Sequence, residues 1–307
     1  MIWFIKNIYK YRFIIYYGRP PDFSYILKKL HIDSNLEPLL SVLKILGKKI
    51  VYIPAGCRDE FTKLQFSLFE NGNICGNCGF FSHCDEPSNI RNLYVVNKYA
   101  DLVIGTGFTK PAINNWKPIK WKSFDLTLFN SNIEIPENFM LPNTNNLRIL
   151  HATSLENRDS MGKNIKGSLH IEKAVEKLKN EGFKCELIRI TNIDSKNMRY
   201  LQVQADLIID QLIYGHWGSS SLEGIALGKP VICYFNKTWK QNYINALGIE
   251  IWPFIEADTN NIYDVLKNLI NDSNLRTTYS KLSENFALEY LDVTKNAREF
   301  IDILNSI

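Results

Sequence analysis

The chain has 307 residues, 45% hydrophobic and 22% charged, with a net charge of +4. That length holds two domains of ordinary size, and the composition excludes a disordered, collagenous or disulfide-dense miniprotein. Charge is uneven: residues 1–50 carry nine Lys or Arg against three Asp or Glu, interleaved with Trp3, Phe4, Tyr9, Tyr11, Phe13, Tyr16 and Tyr17. Two readings of this basic aromatic stretch stay open, peripheral contact with an anionic membrane face and a solvated domain edge with tyrosines in the core. Lys6, Lys10 and Arg12 interrupt the N-terminal apolar run well short of the roughly 20 residues that span a bilayer. No signal-peptide pattern is recognised, so a cytoplasmic protein is expected, at the inner face of the membrane if the basic stretch binds lipid.

In chain order, residues 12–17 read as a buried strand and 18–22 as a loop. Apolar residues at helical spacing run from Leu36 to Leu46 and stop at Gly47. Residues 49–53 form the next strand, 57–85 are irregular and cysteine-rich, 87–100 are helical and 101–104 are again a strand. Strands alternating with helices imply βαβ units and a parallel sheet. The composition shifts over 106–146, with Pro111, Pro118, Pro136, Pro142, two tryptophans and the Asn-rich run 142–146; this reads as a crossover to a second domain. Residues 147–152 open that domain as a strand, followed by a helix over 168–181 ended by Gly182, a strand over 186–190 and a helix over 198–205. Past Phe235, helices near 241–247 and onward to Ile307 are expected. The predicted division is 1–143 and 144–307, with the last helix returning to the first domain.

The most informative stretch is Ala205-Asp-Leu-Ile-Ile-Asp210-Gln-Leu followed by Gly215-His-Trp-Gly218-Ser219-Ser220-Ser221-Leu-Glu223-Gly-Ile-Ala-Leu-Gly-Lys-Pro-Val-Ile232. It reads as strand, glycine-containing loop, short helix, glycine stop, strand. Such a loop sets the first N–H groups of the helix, and its positive dipole end, at the carboxyl edge of a parallel sheet, where diphosphates bind. Glu223 lies about one turn in, within reach of a ribose. Ser220-x-x-Glu223 also reads as a capping box, and Asp210 either faces the cleft or caps the following loop.

This stretch resembles the donor-binding segment of GT-B-fold retaining glycosyltransferases (group 1, family 4-like), whose motif reads small-small-x-Glu-(Ala/Gly)-x-Ala-x-Gly-Lys-Pro-Val-Ile. The resemblance spans about residues 45–240. It implies an α/β fold of two Rossmann-like domains facing a cleft, here with a shortened first domain. It further implies transfer of a sugar from a nucleotide-diphosphate donor, a UDP- or GDP-sugar, to a polysaccharide, lipid-linked or protein acceptor. Anomeric retention without a divalent cation is implied, and nucleic acid is not expected as a partner. Diphosphate binding falls to Gly218, Ser219, Ser220 and Ser221, ribose binding to Glu223, and Asp210 is a further candidate at the same strand end. Such families add a basic pair from the loop after the first strand of the second domain; Lys166, before Gly167, matches its lysine, and Arg158 or Lys163 is the partner candidate. They also carry an acidic residue eight positions before the ribose glutamate, where this chain has Gly215; His216 is the candidate sugar contact instead. An epimerase or hydrolase of the same fold, and a non-catalytic donor-binding subunit, are the alternative functions.

Four of six cysteines, Cys57, Cys75, Cys78 and Cys84, fall within 28 residues and include a C-x-x-C step. Four thiolates suit a structural zinc, with His83 as a replacement ligand; an iron–sulfur cluster, free thiols and a disulfide are the alternatives. Cys185 and Cys233 lie in predicted strands and read as core thiols.

Overall fold

The computed structural model describes residues 7–18, 37–54, 56–57, 63, 66, 74–79, 84, 86–105, 115–120, 122–153 and 164–307. The first parallel sheet has the order β1 (Phe13–Tyr17), β2 (Lys49–Ile53), β3 (Leu102–Gly105), β4 (Trp116–Pro118). Helix α1 (Glu37–Ile45) leads into β2, and α2 (Glu86–Tyr99), with Pro87 in its first turn where a missing N–H costs nothing, leads into β3. Alternation of side chains along the strands separates two apolar layers. Ile14, Tyr16, Ile50, Tyr52 and Val103 pack with Leu40, Leu43, Val95 and Val96 of α1 and α2. Val51, Leu102 and Ile104 point the other way.

The second parallel sheet has the order β6-β5-β7-β8-β9, formed by β5 (Leu147–Ala152), β6 (Cys185–Ile190), β7 (Leu207–Ile209), β8 (Val231–Cys233) and β9 (Phe254–Glu256). Every residue of β7 and β8 is buried, as expected for strands covered on both faces. One face packs against α3 (Ser168–Asn180) and α7 (Ile262–Asn271) through Ile149, Ile171, Leu178, Leu207, Ile209 and Leu266. The other carries Leu150, Ile208 and Val231 against α5 (Ser219–Ala226) and α8 (Ser273–Phe286), which closes with Phe286 and a π-helical turn over 287–291. Helices α4 (Ser195–Gln202) and α6 (Lys237–Leu247) complete this half.

The last helix, α9 (Val293–Asn305), leaves the second half. Its Phe300, Ile303 and Leu304, with Ile307 beyond it, cover the Val51, Leu102 and Ile104 face of the first sheet. Phe124 and Asp292 form a parallel bridge where the two connections cross. Two parallel-sheet units and a C-terminal helix docked on the first sheet are the observed architecture, and the α/β fold expected from the strand–helix alternation is observed.

Three local differences have physical causes. The crossover is not wholly irregular: Asn115 takes φ 57°, a left-handed conformation asparagine tolerates, and turns the chain into β4. The helix expected over 198–205 begins at Ser195 and ends at Gln202, where tighter turn hydrogen bonds from Gln204 to Leu201 and from Ala205 to Gln202 replace the α-helical pattern before β7. The strand β9 was not expected from the sequence.

Candidate functional site

In the second sheet the chain runs from β5 outward to β6 and then returns to the other side of β5 as β7. The strand order therefore reverses between β5 and β7, and a crevice opens outside their carboxyl ends at that point. Three expected residues converge there. Lys166 Nζ donates to Asp210 Oδ1 at 2.7 Å and to the Ala152 carbonyl at 2.9 Å, joining the end of β5 to the residue after β7. Asp210 Oδ2 accepts the Gly218 N–H at 2.6 Å and the Ser221 hydroxyl at 2.7 Å. One buried carboxylate thus fixes the lysine and the start of α5 together. A Cβ on Gly218 would sit 2.7 Å from Asp210 Oδ2, so only glycine lets the carboxylate approach this N–H.

The side chains of Lys166 and Asp210 are 9% and 0% exposed. Burial works against the Asp210 carboxylate, but the Lys166 charge, its hydrogen bond, the Ser221 hydroxyl and the Gly218 N–H outweigh it and hold its pKa below the usual range. An ammonium has three N–H groups, and two of those of Lys166 are used here.

The expected capping box does not form. Helix α5 begins at Ser219 with Gly218 as its N-cap, two residues too early for Ser220 to be the cap. Glu223 then lies beyond the first turn, and Gln202 Nε2 donates to its Oε2 and to Ser220 Oγ, both at 3.2 Å. Burial raises the Glu223 pKa, opposed by that amide and by the charge of Lys122. Ser219, at the exposed end of the helix, accepts from Lys122 Nζ at 2.8 Å. Lys122 and Gln202 were both missed by sequence reasoning; Lys122 stands in the crossover, 97 positions before its contact, and only the Lys120-Trp-Lys122 step hinted at it.

Gly215 takes φ +100°, a conformation that L side chains rarely adopt, so an acidic residue is disfavoured at this position. His216 Nδ1 lies 2.8 Å from the Trp217 carbonyl, and Tyr214, Trp217 and Trp239 surround the ring. Burial draws its pKa down to about 4, so it is a neutral imidazole at pH 7. Beneath the crevice, His151 Nδ1 donates to the Ile209 carbonyl at 2.9 Å, since a carbonyl only accepts; Nε2 then accepts from the Ser168 hydroxyl at 2.8 Å. That contact seats the first residue of α3 behind Lys166. Arg158 and Lys163 lie outside the described residues.

The expected metal site is not shown by the structure, and His83, the replacement ligand, lies outside the described residues. Among the described residues no group of three or more His, Cys, Asp or Glu is placed to hold a metal, although all four cysteines of the cluster are described. Cys57 and Cys75 pack against the large apolar cluster, and Asn89 Nδ2 donates to Cys84 Sγ at 3.6 Å. Phe66 packs on Tyr214 and Trp239, with ring centroids 6.0 and 6.4 Å apart. Close spacing in sequence did not turn the thiols toward one point. Cys185 and Cys233 are buried core thiols. No helix among the described residues is long and apolar enough to cross a membrane.

No family model matches the sequence, and no curated protein matches it. Solved structures do. HepE of Anabaena in complex with UDP and glucose superposes with a TM-score of 0.63 at 13% identity, over 100% of this chain and 81% of that one. Sucrose-phosphate synthase of Thermosynechococcus elongatus gives 0.61 at 12% identity, over 99% and 75%. An alpha-glucosyltransferase in complex with UDP and a 13-mer DNA gives 0.55 at 14%, over 96% and 80%. Two parallel sheets, a C-terminal helix returning to the first, and these likenesses along the whole chain show the GT-B fold of the glycosyltransferases.

Proposed function

We propose that this protein transfers a glycosyl group from a nucleoside-diphosphate sugar to a glycan, lipid-linked or protein acceptor, with retention and without a divalent cation. The observation that carries the reading is the Lys166–Asp210–Gly218/Ser221 constellation at the β5/β7 reversal of a GT-B fold. The diphosphate sits at the N-terminus of α5, over Gly218–Ser221, with the third Lys166 N–H on a phosphate oxygen and the ribose hydroxyls at Glu223. Similar folds hold UDP and UDP-glucose, which supports a nucleotide-sugar donor. As the glycosidic bond breaks, negative charge grows on the leaving phosphate; a fixed helix end and ammonium stabilise it more than they stabilise the bound substrate. On this reading His216, neutral at pH 7, takes the sugar contact where Gly215 offers no side chain. The chain has no Asp-x-Asp segment for a metal on the diphosphate.

Thermal shift with UDP, GDP, ADP and CMP identifies the base, and calorimetry then tests the site. Glu223→Ala is expected to weaken binding by about 1–3 kcal/mol, the loss of a hydrogen bond to a charged group. Unchanged affinity in both Glu223→Ala and Lys166→Ala sinks the assignment. EDTA should leave the transfer rate unchanged, and the product should keep the donor's anomeric configuration; loss of activity restored by magnesium, or an inverted product, contradicts the mechanism.

A further inference from the structure

The charges around α5 do not balance a diphosphate through Lys166 alone. Its ammonium is held by the buried Asp210 carboxylate, so the pair is close to neutral as seen from the crevice. Glu223 adds a carboxylate one turn along the same helix. A ligand with two or three negative charges therefore needs another cation here. Lys122 is at hand: its Nζ donates to Ser219 Oγ, on the first residue of α5, and its charge acts on Glu223. It comes from the other side of the crevice, on the segment between β4 and β5. That segment is anchored on both flanks. Ile119 belongs to the apolar layer of the first sheet, and Phe124 exchanges backbone hydrogen bonds with Leu291 and Val293. Ser123 Oγ accepts from Asn296 Nδ2 of α9 at 2.8 Å.

We infer that Lys122 is a donor-phosphate ligand supplied by the connection between the halves, so that a bound nucleoside diphosphate ties the crossover to α5. The lysine is half-buried, and burial lowers its pKa. A phosphate in the crevice restores the stabilisation its charge has lost to desolvation, and the Ser219 hydroxyl already holds the ammonium over the open helix end. Lys120, two residues earlier, lies 5.4 Å over the Tyr290 ring and serves as the neighbouring control cation.

The inference rests on the proposed donor site, and one set of titrations separates the two. Calorimetry of the full chain uses whichever of UDP, GDP and ADP binds it, on wild type, Glu223→Ala, Lys166→Ala, Lys122→Gln, Lys122→Arg and Lys120→Gln. Lys122→Gln is expected to weaken binding about tenfold, as for loss of a charge-assisted hydrogen bond, and to flatten the salt dependence of the affinity. Lys122→Arg should recover most of the loss, and Lys120→Gln should change the affinity less than threefold. Binding that falls in Glu223→Ala but not in Lys122→Gln overturns the role of Lys122 and leaves the site standing. Equal losses in Lys120→Gln and Lys122→Gln overturn it as well, since the effect is then general field. No binding of any diphosphate, or binding indifferent to both Glu223→Ala and Lys166→Ala, overturns the site itself.

Discussion

The two halves are made of the same units and are finished differently. The second sheet has five strands with apolar layers on both faces, and its central strands are wholly buried. The first has four, and one of its faces is covered by a helix that the second half sends back. Polar groups follow the same division. At the reversal in the second sheet His151, Lys166, Asp210 and Ser221 are all buried and hydrogen-bonded to one another or to strand carbonyls. In the first half the described ion pairs, Lys44–Asp101, Lys49–Asp101 and Lys98–Glu37, have exposed or half-buried lysines, and such pairs contribute little. A buried charged network costs desolvation and is maintained where its geometry is used. The difference sets the buried polar network, and with it the proposed donor site, in the second half.

The sharpest way to break this comparison is to orphan the buried charge. Asp210→Ala leaves the Lys166 ammonium buried beside a carbonyl and uncaps α5, and should cost about 3–5 kcal/mol. The double variant Asp210→Ala/Lys166→Met should be more stable than Asp210→Ala alone. Urea denaturation followed by tryptophan fluorescence measures both. A loss under 1 kcal/mol in the single variant means that the pair is not sealed from water.

A single added methyl compares packing in the two sheets. At Gly224 a Cβ meets Ile208 Cδ1 at 2.7 Å and Val231 Cγ2 at 3.0 Å, both inside the core under α5. At Gly105 it meets the Trp116 indole, at 1.9 Å from Nε1, but Trp116 belongs to the edge strand and is only partly buried. Overpacking a core costs about 1–3 kcal/mol. Gly224→Ala should fall near 2 kcal/mol and Gly105→Ala near 1, because an edge side chain swings aside more readily. The reverse order, read from urea midpoints, would show the first sheet to be the tighter.

These variants also show what the sequence made legible. The strand–loop–helix around α5 could be read because its cues are local: an apolar run, a glycine before the helix and one after it, and a proline that bars continuation. The partner of the α5 N-cap was legible only as one of two alternatives for Asp210, since Asp210 and Gly218 meet through a loop whose path depends on Gly215. Spacing suggested Ser220 as the cap and erred by two residues. Lys122 was out of reach for a plainer reason: a contact 97 positions long has no periodicity to announce it. The cysteines misled because sequence proximity says nothing about which way each Cβ points, and Phe66 had set that region on an aromatic surface.

Removing part of the returning helix tests the dependence of one half on the other. Leu304 is half-buried on the first sheet, so Leu304→Ala should cost about 1–2 kcal/mol, below the range for fully buried leucines. Hydrogen exchange should place the loss in β2 and β3. Faster exchange in β7 and β8 instead would mean that α9 stabilises mainly the half it leaves.

Acidification separates the halves by charge, through small contributions from single groups. His151 is drawn down to about 4 by burial and then by the Lys166 charge, with Asp210 opposing and Arg189 adding; His216 reaches about 4 by burial. In the unfolded chain both titrate near 6.5. Between those values the unfolded state binds more protons, so stability falls as pH falls from about 6.5 towards 4 and loses nothing more to these groups below that. From pH 7 to 5.5 each histidine should cost about 1 kcal/mol. The carboxylates held low, Asp101, Asp125, Glu181 and Asp210, lose their contribution only below their unfolded values near 4, outside that window. Glu223 acts in the opposite sense: burial raises its folded pKa, so the folded state takes up the extra proton and acidification favours it. Glu223→Gln should therefore make the fall in urea midpoint between pH 7 and 5.5 steeper than in the wild type. A midpoint that rises on acidification would mean that His151 and His216 are open to water, and the buried polar network would no longer distinguish the second half from the first.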